Sequence, residues 1–309
     1  MYDATPPKRT PGRLHFASKD GAFVLHQGDC IEVLGSLPEG SVDLIFADPP
    51  YFLSNGGITC QSGKMVSVHK GRWDVSRGVE ENHAFNRRWL AACQRVLAPN
   101  GTIFVSGTRH VIFSVGFAMQ QLGFKMLNDI IWYKVTPPPN LSCRYFTHST
   151  ETILWAGRDG RTKHHFAYKE MKEENGGKQM QSLWSIRPPY KAEKRFGKHP
   201  TQKPLALLER IVRAASKPGD LVLDPFNGSG TTGVASARLG RRYVGVELDL
   251  EHLEQTLHRF RDLDGERAPA KPARKRRGQA KAGAGDAAAD TPRAKPAKAG
   301  ARTRRRRSA

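Results

Sequence analysis

Short apolar runs alternate along the chain with segments of helical period. Seven runs read as strands: Phe23–His26, Val42–Ala47, Thr102–Ser106, Asn128–Tyr133, Thr152–Ala156, Leu221–Leu223 and Tyr243–Val246. They are β-branched or aliphatic and nearly continuous in apolar character, as strands buried on both faces of a parallel sheet are. Between them, Ala84–Leu97 sets Phe85, Trp89, Ala92, Val96 and Leu97 on one helical face, and Pro204–Ser216 does so with Leu207, Leu208, Ile211 and Val212. A third helix is expected over about Thr231–Leu239. Strands alternating with helices predict an α/β fold, a doubly wound and mostly parallel sheet. Trp132, Trp155 and Phe104 lie on strands and belong to its core. Ligands of such a sheet sit beyond the carboxyl ends of the strands, so the residues just past each strand carry the chemistry.

Composition divides the chain into three zones. Residues 1–20 are polar and Pro-containing and read as a flexible arm. Residues 21–264 carry nearly all the aromatic and branched aliphatic side chains and form the folded domain. From 265 onward the sequence is mainly Ala, Lys, Arg, Gly and Pro, too poor in apolar surface to offset its ordering entropy, and is expected to be a disordered basic tail. The net charge of +21 splits unevenly. The tail from Glu266 on holds 15 basic and 3 acidic residues, leaving 35 and 26 in the rest. Such an excess implies a polyanionic partner, most simply nucleic acid. No stretch approaches the roughly 18 uncharged apolar residues of a membrane span, so no membrane role is expected. The N-terminus lacks the apolar core of a secretory signal. The cysteines (Cys30, Cys60, Cys93 and Cys143) form no CxxC pair, so neither a zinc site nor a disulfide framework is expected, and a reducing cytoplasm is the default. Cys30 and Cys143 read as buried thiols. His164 and His165 lack partners at ligand spacing, so no metal is expected.

Two strand-end loops carry chemistry. After Leu221–Leu223 comes Asp224-Pro-Phe226-Asn227-Gly228-Ser229-Gly230-Thr231-Thr232, an acid, a Gly-rich turn and a helix start. Its glycines allow a sharp turn and close approach to a ligand, and the helix N-terminus is electropositive. The spacing is neither that of a P-loop nor of the dinucleotide fingerprint. The next strand ends at Glu247, where a ribose hydroxyl pair is usually held. After Val42–Ala47 comes Asp48-Pro49-Pro50-Tyr51. Its prolines stiffen the turn and remove two donors, leaving the Asp48 carboxylate and Pro49 carbonyl as fixed acceptors. Such a pair suits an exocyclic amino group, whose developing positive charge it stabilises during methyl transfer. Tyr51 is placed to stack on a base extruded from the duplex.

These loops, with His199-Pro-Thr201-Gln-Lys203-Pro204 before the second, resemble the S-adenosylmethionine-dependent DNA amino-methyltransferases, which act on adenine N6 or cytosine N4. The catalytic loop preceding the cofactor loop resembles the β-group, a circularly permuted form of the Rossmann-like methyltransferase sheet. The run from Asp48 to Gly57, with Gly63–Val68 and Trp73-Asp74, is most similar to DpnA-type adenine methyltransferases of restriction systems. The resemblance implies S-adenosylmethionine as cofactor, held by Asp29, Thr201, Lys203, Asp224, Phe226, Asn227, Gly228, Ser229, Gly230, Thr231 and Glu247. It implies catalysis by Asp48, Pro49, Pro50 and Tyr51. It implies a target-recognition region over about 157–198, in which Arg187, Tyr190, Lys191, Lys194 and Arg195 contact DNA. Lys64, His69, Lys70 and Arg72, on the long loop Ser54–Arg72, are expected to close over the flipped base.

The function expected is thus site-specific adenine-N6 methylation of DNA, double- or single-stranded. Cytosine-N4 methylation stands as the alternative, with Asp48 favouring adenine because Ser is commoner first in the cytosine-N4 loop. A non-enzymatic basic DNA-binding protein is the alternative of another class. A homodimer and a cognate restriction endonuclease are possible partners.

Overall fold

Val42–Ala47 shows why the chain folds in layers. Its residues are buried on both faces, Leu44 and Phe46 to one side and Ile45 and Ala47 to the other. A strand buried on both faces needs helices on both.

The computed structural model describes residues 12–54, 58–61, 64–67, 74–197 and 201–267. In chain order the elements are β1 (Arg13–Ala17), β2 (Phe23–Gln27), α1 (Cys30–Ser36), β3 (Val42–Ala47), β4 (Ile58–Gln61), β5 (Lys64–Ser67), α2 (Val79–Val96) and β6 (Leu97–Gly107). Then come α3 (Ile112–Gln121), β7 (Lys125–Tyr133), β8 (Thr150–Gly157), α4 (Tyr168–Glu174), β9 (Leu183–Ser185), α5 (Leu205–Ala215), β10 (Leu221–Asp224), α6 (Thr231–Arg238), β11 (Arg242–Glu247) and α7 (Leu250–Arg267). The chain divides into a unit ending at Ala268 and a second, Pro269–Ala309, which lies outside the described residues. The first eleven residues, His69, Lys70, Arg72 and His199 lie outside them too.

Nine strands form one sheet in the order β1-β2-β11-β10-β3-β6-β8-β7-β9. The five strands from β2 to β6 in that order are mutually parallel. All seven strands read from the apolar pattern are present. β8, however, runs antiparallel to both β6 and β7, because an apolar run records burial on two faces and not direction. One face of the sheet packs on α1, α2 and α3 through Val33, Leu34, Trp89, Leu90, Cys93, Val115 and Met119. The other packs on α5, α6 and α7 through Leu207, Leu208, Ile211, Val212, Ala235, Leu253 and Leu257. Each such large aliphatic side chain contributes about 1.5–3 kcal/mol when fully buried.

Four expectations are corrected. Residues 13–17, read as part of a flexible arm, are β1, paired antiparallel with β2. The turn is set by Asp20, which accepts from the Ser18 hydroxyl and Ala22 N–H, and by Gly21 at φ +67°. Phe16 and Phe23 then cover the Phe260 ring, at centroid distances of 6.1 and 4.0 Å. The loop Ser54–Arg72 contains an antiparallel ribbon, β4 with β5, which Lys64 opens. α7 ends at Arg267, inside the segment read as tail, carried on by the apolar spacing of Leu253, Leu257 and Leu263. Cys143 is exposed in a left-handed turn at φ +52°, whereas Cys30 and Cys93 are buried.

Helix α6 lies very close to the sheet. A Cβ at Gly233 would stand 2.7 Å from the Tyr243 ring and 2.9 Å from that of Phe23, both buried and unable to yield. Gly233→Ala is therefore expected to destabilise the fold by about 1–3 kcal/mol. Urea unfolding measures this, and an unchanged midpoint would refute so close a seat for α6.

Candidate active site

The parallel strands deliver acids to one edge. β2 ends before Asp29, β11 at Glu247, β10 at Asp224, and β3 before Asp48. β8, running the other way, enters at this edge and brings Glu151 with it.

Around Asp48 the side chains form a buried charge cluster. One oxygen, Oδ1, accepts from the Tyr51 hydroxyl at 2.6 Å, and Oδ2 accepts from the Lys203 ammonium at 2.5 Å. Lys203 also stands 3.5 Å from Glu151, whose other oxygen accepts from Lys134 at 2.5 Å. The Ser106 hydroxyl, on β6, donates to Glu151 at 3.3 Å. Burial pushes the Asp48 carboxyl upward, and Lys203 opposes it by favouring the ionised form. Burial works against the Lys203 charge, yet Asp48 and Glu151 outweigh it and keep the ammonium above its ordinary value. Burial would raise Glu151 too, but Lys203 and Lys134 hold it at about 2.

The loop after Asp48 is clasped from below by Asp74. One oxygen of this fully buried carboxylate accepts from Tyr51 N–H, the other from Leu53 N–H and the Ser54 hydroxyl. Phe52, between these donors, is held at φ +57°, a conformation costly for a residue with a Cβ. Tyr51, read as a stacking ring for a base, is here 5% exposed, with its hydroxyl turned into the cluster and Lys203 5.5 Å from its ring centre. The cause is the partner its hydroxyl finds in Asp48. Lys203 itself lies against the catalytic loop.

The Gly-rich turn divides its side chains between two sides. Asp224 accepts from Thr232 Oγ1 at 2.6 Å and Phe226 N–H at 3.0 Å. Glu247 accepts from the backbone N–H groups of Gly228, Leu248 and Asp249. The side chains of Asn227, Ser229 and Thr231 point the other way, into α7. Asn227 bonds Thr256 and Tyr243, and Arg259 bonds Ser229 and Thr231. Gly230, at φ +73°, lets α7 come close, for a Cβ there would lie 2.4 Å from Thr256. Asp29 caps α1, accepting from Ile31 and Glu32 N–H.

The segment read as target recognition is split between the two edges of the sheet. Arg158 and Lys163 lie at the far edge from Asp48: Arg158 N–H donates to Gly101 and Lys163 N–H to Asn100. β9, parallel to β7, then returns the chain, so that Arg187, Tyr190, Lys191, Lys194 and Arg195 reach the Asp48 edge. There Glu193 accepts from Tyr190 N–H and Leu205 N–H, and Arg195 pairs with Asp262. Sequence reading missed Glu151, Lys134, Asp74 and Arg259. For Glu151 a signal existed, a lone acid opening an apolar strand. Asp74 entered the sequence reading only within the Trp73-Asp74 pair of the resemblance, with no role attached, and nothing in local spacing marks Arg259.

A family model described as DNA methylase matches residues 42–258. The chain belongs to the DNA methylase family. The methylase is 55% identical over 233 residues to the type II methyltransferase M2.DpnII of Streptococcus pneumoniae, covering 75% of this chain and 87% of that one. It is 47% identical over 249 residues to the type II methyltransferase M2.MboI of Moraxella bovis, covering 81% and 91%. Among solved structures, the M1.HpyAVI–SAM complex superposes with a TM-score of 0.58 at 28% identity, over 77% of this chain and 98% of that one. The cytosine-N4-specific PvuII methyltransferase superposes at 0.61 with 21% identity, over 77% and 86%, a likeness of fold.

S-adenosylmethionine is the methylase's methyl donor, and the donor set at the strand ends fits it. Carboxylates end or follow three neighbouring parallel strands, Asp29, Glu247 and Asp224, around Gly228. They suit a ligand bearing two cationic centres and ribose hydroxyls. Among the described residues no cluster of three or more His, Cys, Asp or Glu is placed to hold a metal, and no helix is long and apolar enough to cross a membrane.

Burial pushes Asp224 up to about 7, against the Thr232 and Phe226 donors. Its folded pKa thus exceeds the unfolded value, and the fold binds this proton more tightly than the unfolded chain. The stability it contributes is present at low pH and lost as pH rises from about 4 to about 7. Asp224→Asn is expected to flatten the stability profile across that window. Denaturant unfolding of both proteins at pH 4, 5.5 and 7 reads the difference; identical slopes would refute it.

Proposed function

We propose that the methylase transfers a methyl group to the N6 amino group of adenine in DNA, at a specific site and after the base leaves the helix. The observation that supports this best is the Asp48 carboxylate on its Pro-Pro turn, one strand away from Asp224 and two from Glu247. When bound, S-adenosylmethionine supplies an electrophilic methyl group. The chain's own residues hold and polarise the base. Asp48 and the Pro49 carbonyl accept the two N–H bonds of the amino group, which disfavours delocalisation of its lone pair into the ring. A carboxylate has about four lone-pair sites, so Asp48 can accept from substrate while Lys203 and Tyr51 remain bonded. Lys203, kept cationic between Asp48 and Glu151, works against the burial that raises Asp48 and favours its ionised, accepting form.

Asp224, Phe226, Gly228, Glu247 and Asp29 form the cofactor side of this reading, with Thr201 and Lys203 at its border with the catalytic loop. Asn227, Ser229, Gly230 and Thr231 shape the turn from behind. Arg187, Tyr190, Lys191 and Lys194 supply phosphate and base-edge contacts. The order of the loops, catalytic before cofactor, supports a circularly permuted β-group sheet. The type II names of the relatives support a cognate restriction endonuclease, and a homodimer in the cytoplasm, held on nucleoid DNA, completes the proposal.

Methyl-labelled S-adenosylmethionine and DNA from a methylation-free host test it, with nucleoside mass spectrometry of the product. N6-methyladenine is expected; N4-methylcytosine would establish the alternative, and no transfer would favour a non-enzymatic binder. Asp48→Ala is expected to lower transfer on the order of 10³-fold while leaving cofactor affinity intact. Retained activity would remove Asp48 from this role. For the basic tail, deletion of 268–309 is expected to weaken DNA binding and to flatten its dependence on log salt, read by titration at several salt concentrations. An unchanged slope would mean that the tail makes no phosphate contact.

A further inference from the structure

The connection between β7 and β8, residues 134–149, holds none of the residues assigned above to cofactor or amino group, yet it crowns the same edge. Tyr133 pairs with Thr150 where these strands meet, and Thr152 pairs with Gly107 at the carboxyl end of β6. Its two ends are tied into the cluster around Asp48. Lys134 opens it, and Glu151, which Lys134 and Lys203 both contact, follows it one residue beyond Thr150. The neck is closed by Lys134 N–H donating to Ser149 O at 2.7 Å.

Between these anchors the connection is stiff. Pro137, Pro138 and Pro139 fix its rising limb. Asn140 orders the tip: its oxygen accepts from Ser142 N–H and the Ser142 hydroxyl, and its amide donates to Tyr145 O. A chain so constrained is an odd place for large aromatic rings to meet water. Tyr145 is 58% exposed and Phe146 is 96% exposed, the most exposed large apolar side chain among the described residues. His148 packs 5.3 Å from the Tyr145 ring and contacts Arg109, so a basic rim backs the aromatic pair.

Charge selects the occupant. Residues 134–149 contain no acid, Lys134 is already paired with Glu151, and Arg144 and neighbouring Arg109 are basic. A second copy of the same surface would meet it with like charge. A phosphate backbone meets it with the opposite one.

We propose that Phe146, backed by Tyr145, is a wedge that enters the base stack of duplex DNA beside the target and fills the space left when that base swings out to Asp48. Apolar side chains that part base steps are a general device for displacing bases, and the cost they offset is unstacking and unpairing. The inference rests on the proposed function in one respect, that a DNA base is the substrate.

The discriminating readout is a ratio. Initial methylation rates are measured on fragmented unmethylated genomic DNA, as duplex and as heat-denatured strands, for the native protein and for Phe146→Ala and Phe146→Trp. The duplex-to-single-strand rate ratio is expected to fall at least about tenfold in Phe146→Ala, because only a duplex has a partner base to displace, and to recover in Phe146→Trp. A ratio equal to that of the native protein, whether both rates fall together or neither does, overturns the wedge. So does an unchanged ratio accompanied by weaker self-association in sedimentation, which would make the patch a subunit contact. A second measurement needs no chemistry: the affinity for a duplex with an abasic site relative to the intact duplex. The native protein is expected to prefer the gapped stack and Phe146→Ala to lose that preference; equal preference overturns the wedge. Methyl transfer to cytosine, or to no DNA at all, would overturn the proposed function instead, and this affinity ratio would still judge Phe146.

Discussion

Four charges meet out of water at the carboxyl edge of the sheet: Asp48 and Glu151 against Lys203 and Lys134. Each carboxylate and each ammonium would be costly to bury alone, but the set balances to zero and its shortest contacts are 2.5 Å. The arrangement draws on four distant parts of the chain. Asp48 follows β3, Lys134 follows β7, Glu151 opens β8 and Lys203 precedes α5. Removing any one partner leaves an uncompensated charge inside the protein, and that penalty links the catalytic loop to the integrity of strands it does not belong to. The antiparallel entry of β8 is what makes the balance attainable, since a parallel β8 would have placed its first residue at the opposite edge.

Rigidity of the Asp48 turn has a second source, directly below the first. Asp74 gathers the donors of Tyr51, Leu53 and Ser54, and the left-handed Phe52 persists because these bonds outweigh its strain. Asp48 is thus fixed from above by Lys203 and its successor residues from below by Asp74. For a reaction helped by acceptors aimed in advance at a developing charge, that is the useful property, because no reorganisation is left for the moment of transfer. Tyr51 bears the consequence. Its hydroxyl satisfies Asp48 in this structure, so its ring becomes available to a base only if that bond is exchanged for another.

Much of this was legible in the sequence, and the divide follows physical locality. Apolar runs located seven strands because burial leaves a trace within the run itself, on both faces in β3 and on one face in β7. The chemistry of Asp48-Pro-Pro-Tyr51 and of Asp224 with the Gly-rich turn is local too: stiffness, acceptors and a helix start all lie within a dozen residues. The misses at the site are relations between distant residues. The resemblance assigned Lys203 to the cofactor, and only the fold brings it 2.5 Å from Asp48. Asp74 belongs to a pair that the resemblance picks out, but its role as acceptor for Tyr51, Leu53 and Ser54 is visible only in the fold. β1 and α4 were lost because their sequences are half polar, as edge elements are. The direction of β8, and with it the placing of Arg158 and Lys163 on the far edge, depends on connection geometry that no run of side chains encodes.

The distribution of charge adds a final step. In a chain with a net charge of +21, five of the 29 acids, Asp29, Asp48, Glu151, Asp224 and Glu247, stand at the carboxyl edge. Two lysines face five carboxyl groups, so the floor of the site is rich in acids within a basic protein, although burial pushes Asp224 and Glu247 toward their neutral forms. A phosphate would be repelled from such a floor and drawn to its rim, where Arg109, Arg144, Arg187, Lys191 and Lys194 stand. A neutral base with amino hydrogens has no such barrier, and positive charge developing on its nitrogen is favoured there. The same field that excludes the backbone therefore admits the base, and it does so before any specific hydrogen bond is made. Elsewhere on the protein acids and bases are paired side by side, as in Arg210 and Arg213 with Glu174 or Arg238 with Glu209, so the acidic floor is a local feature of the site.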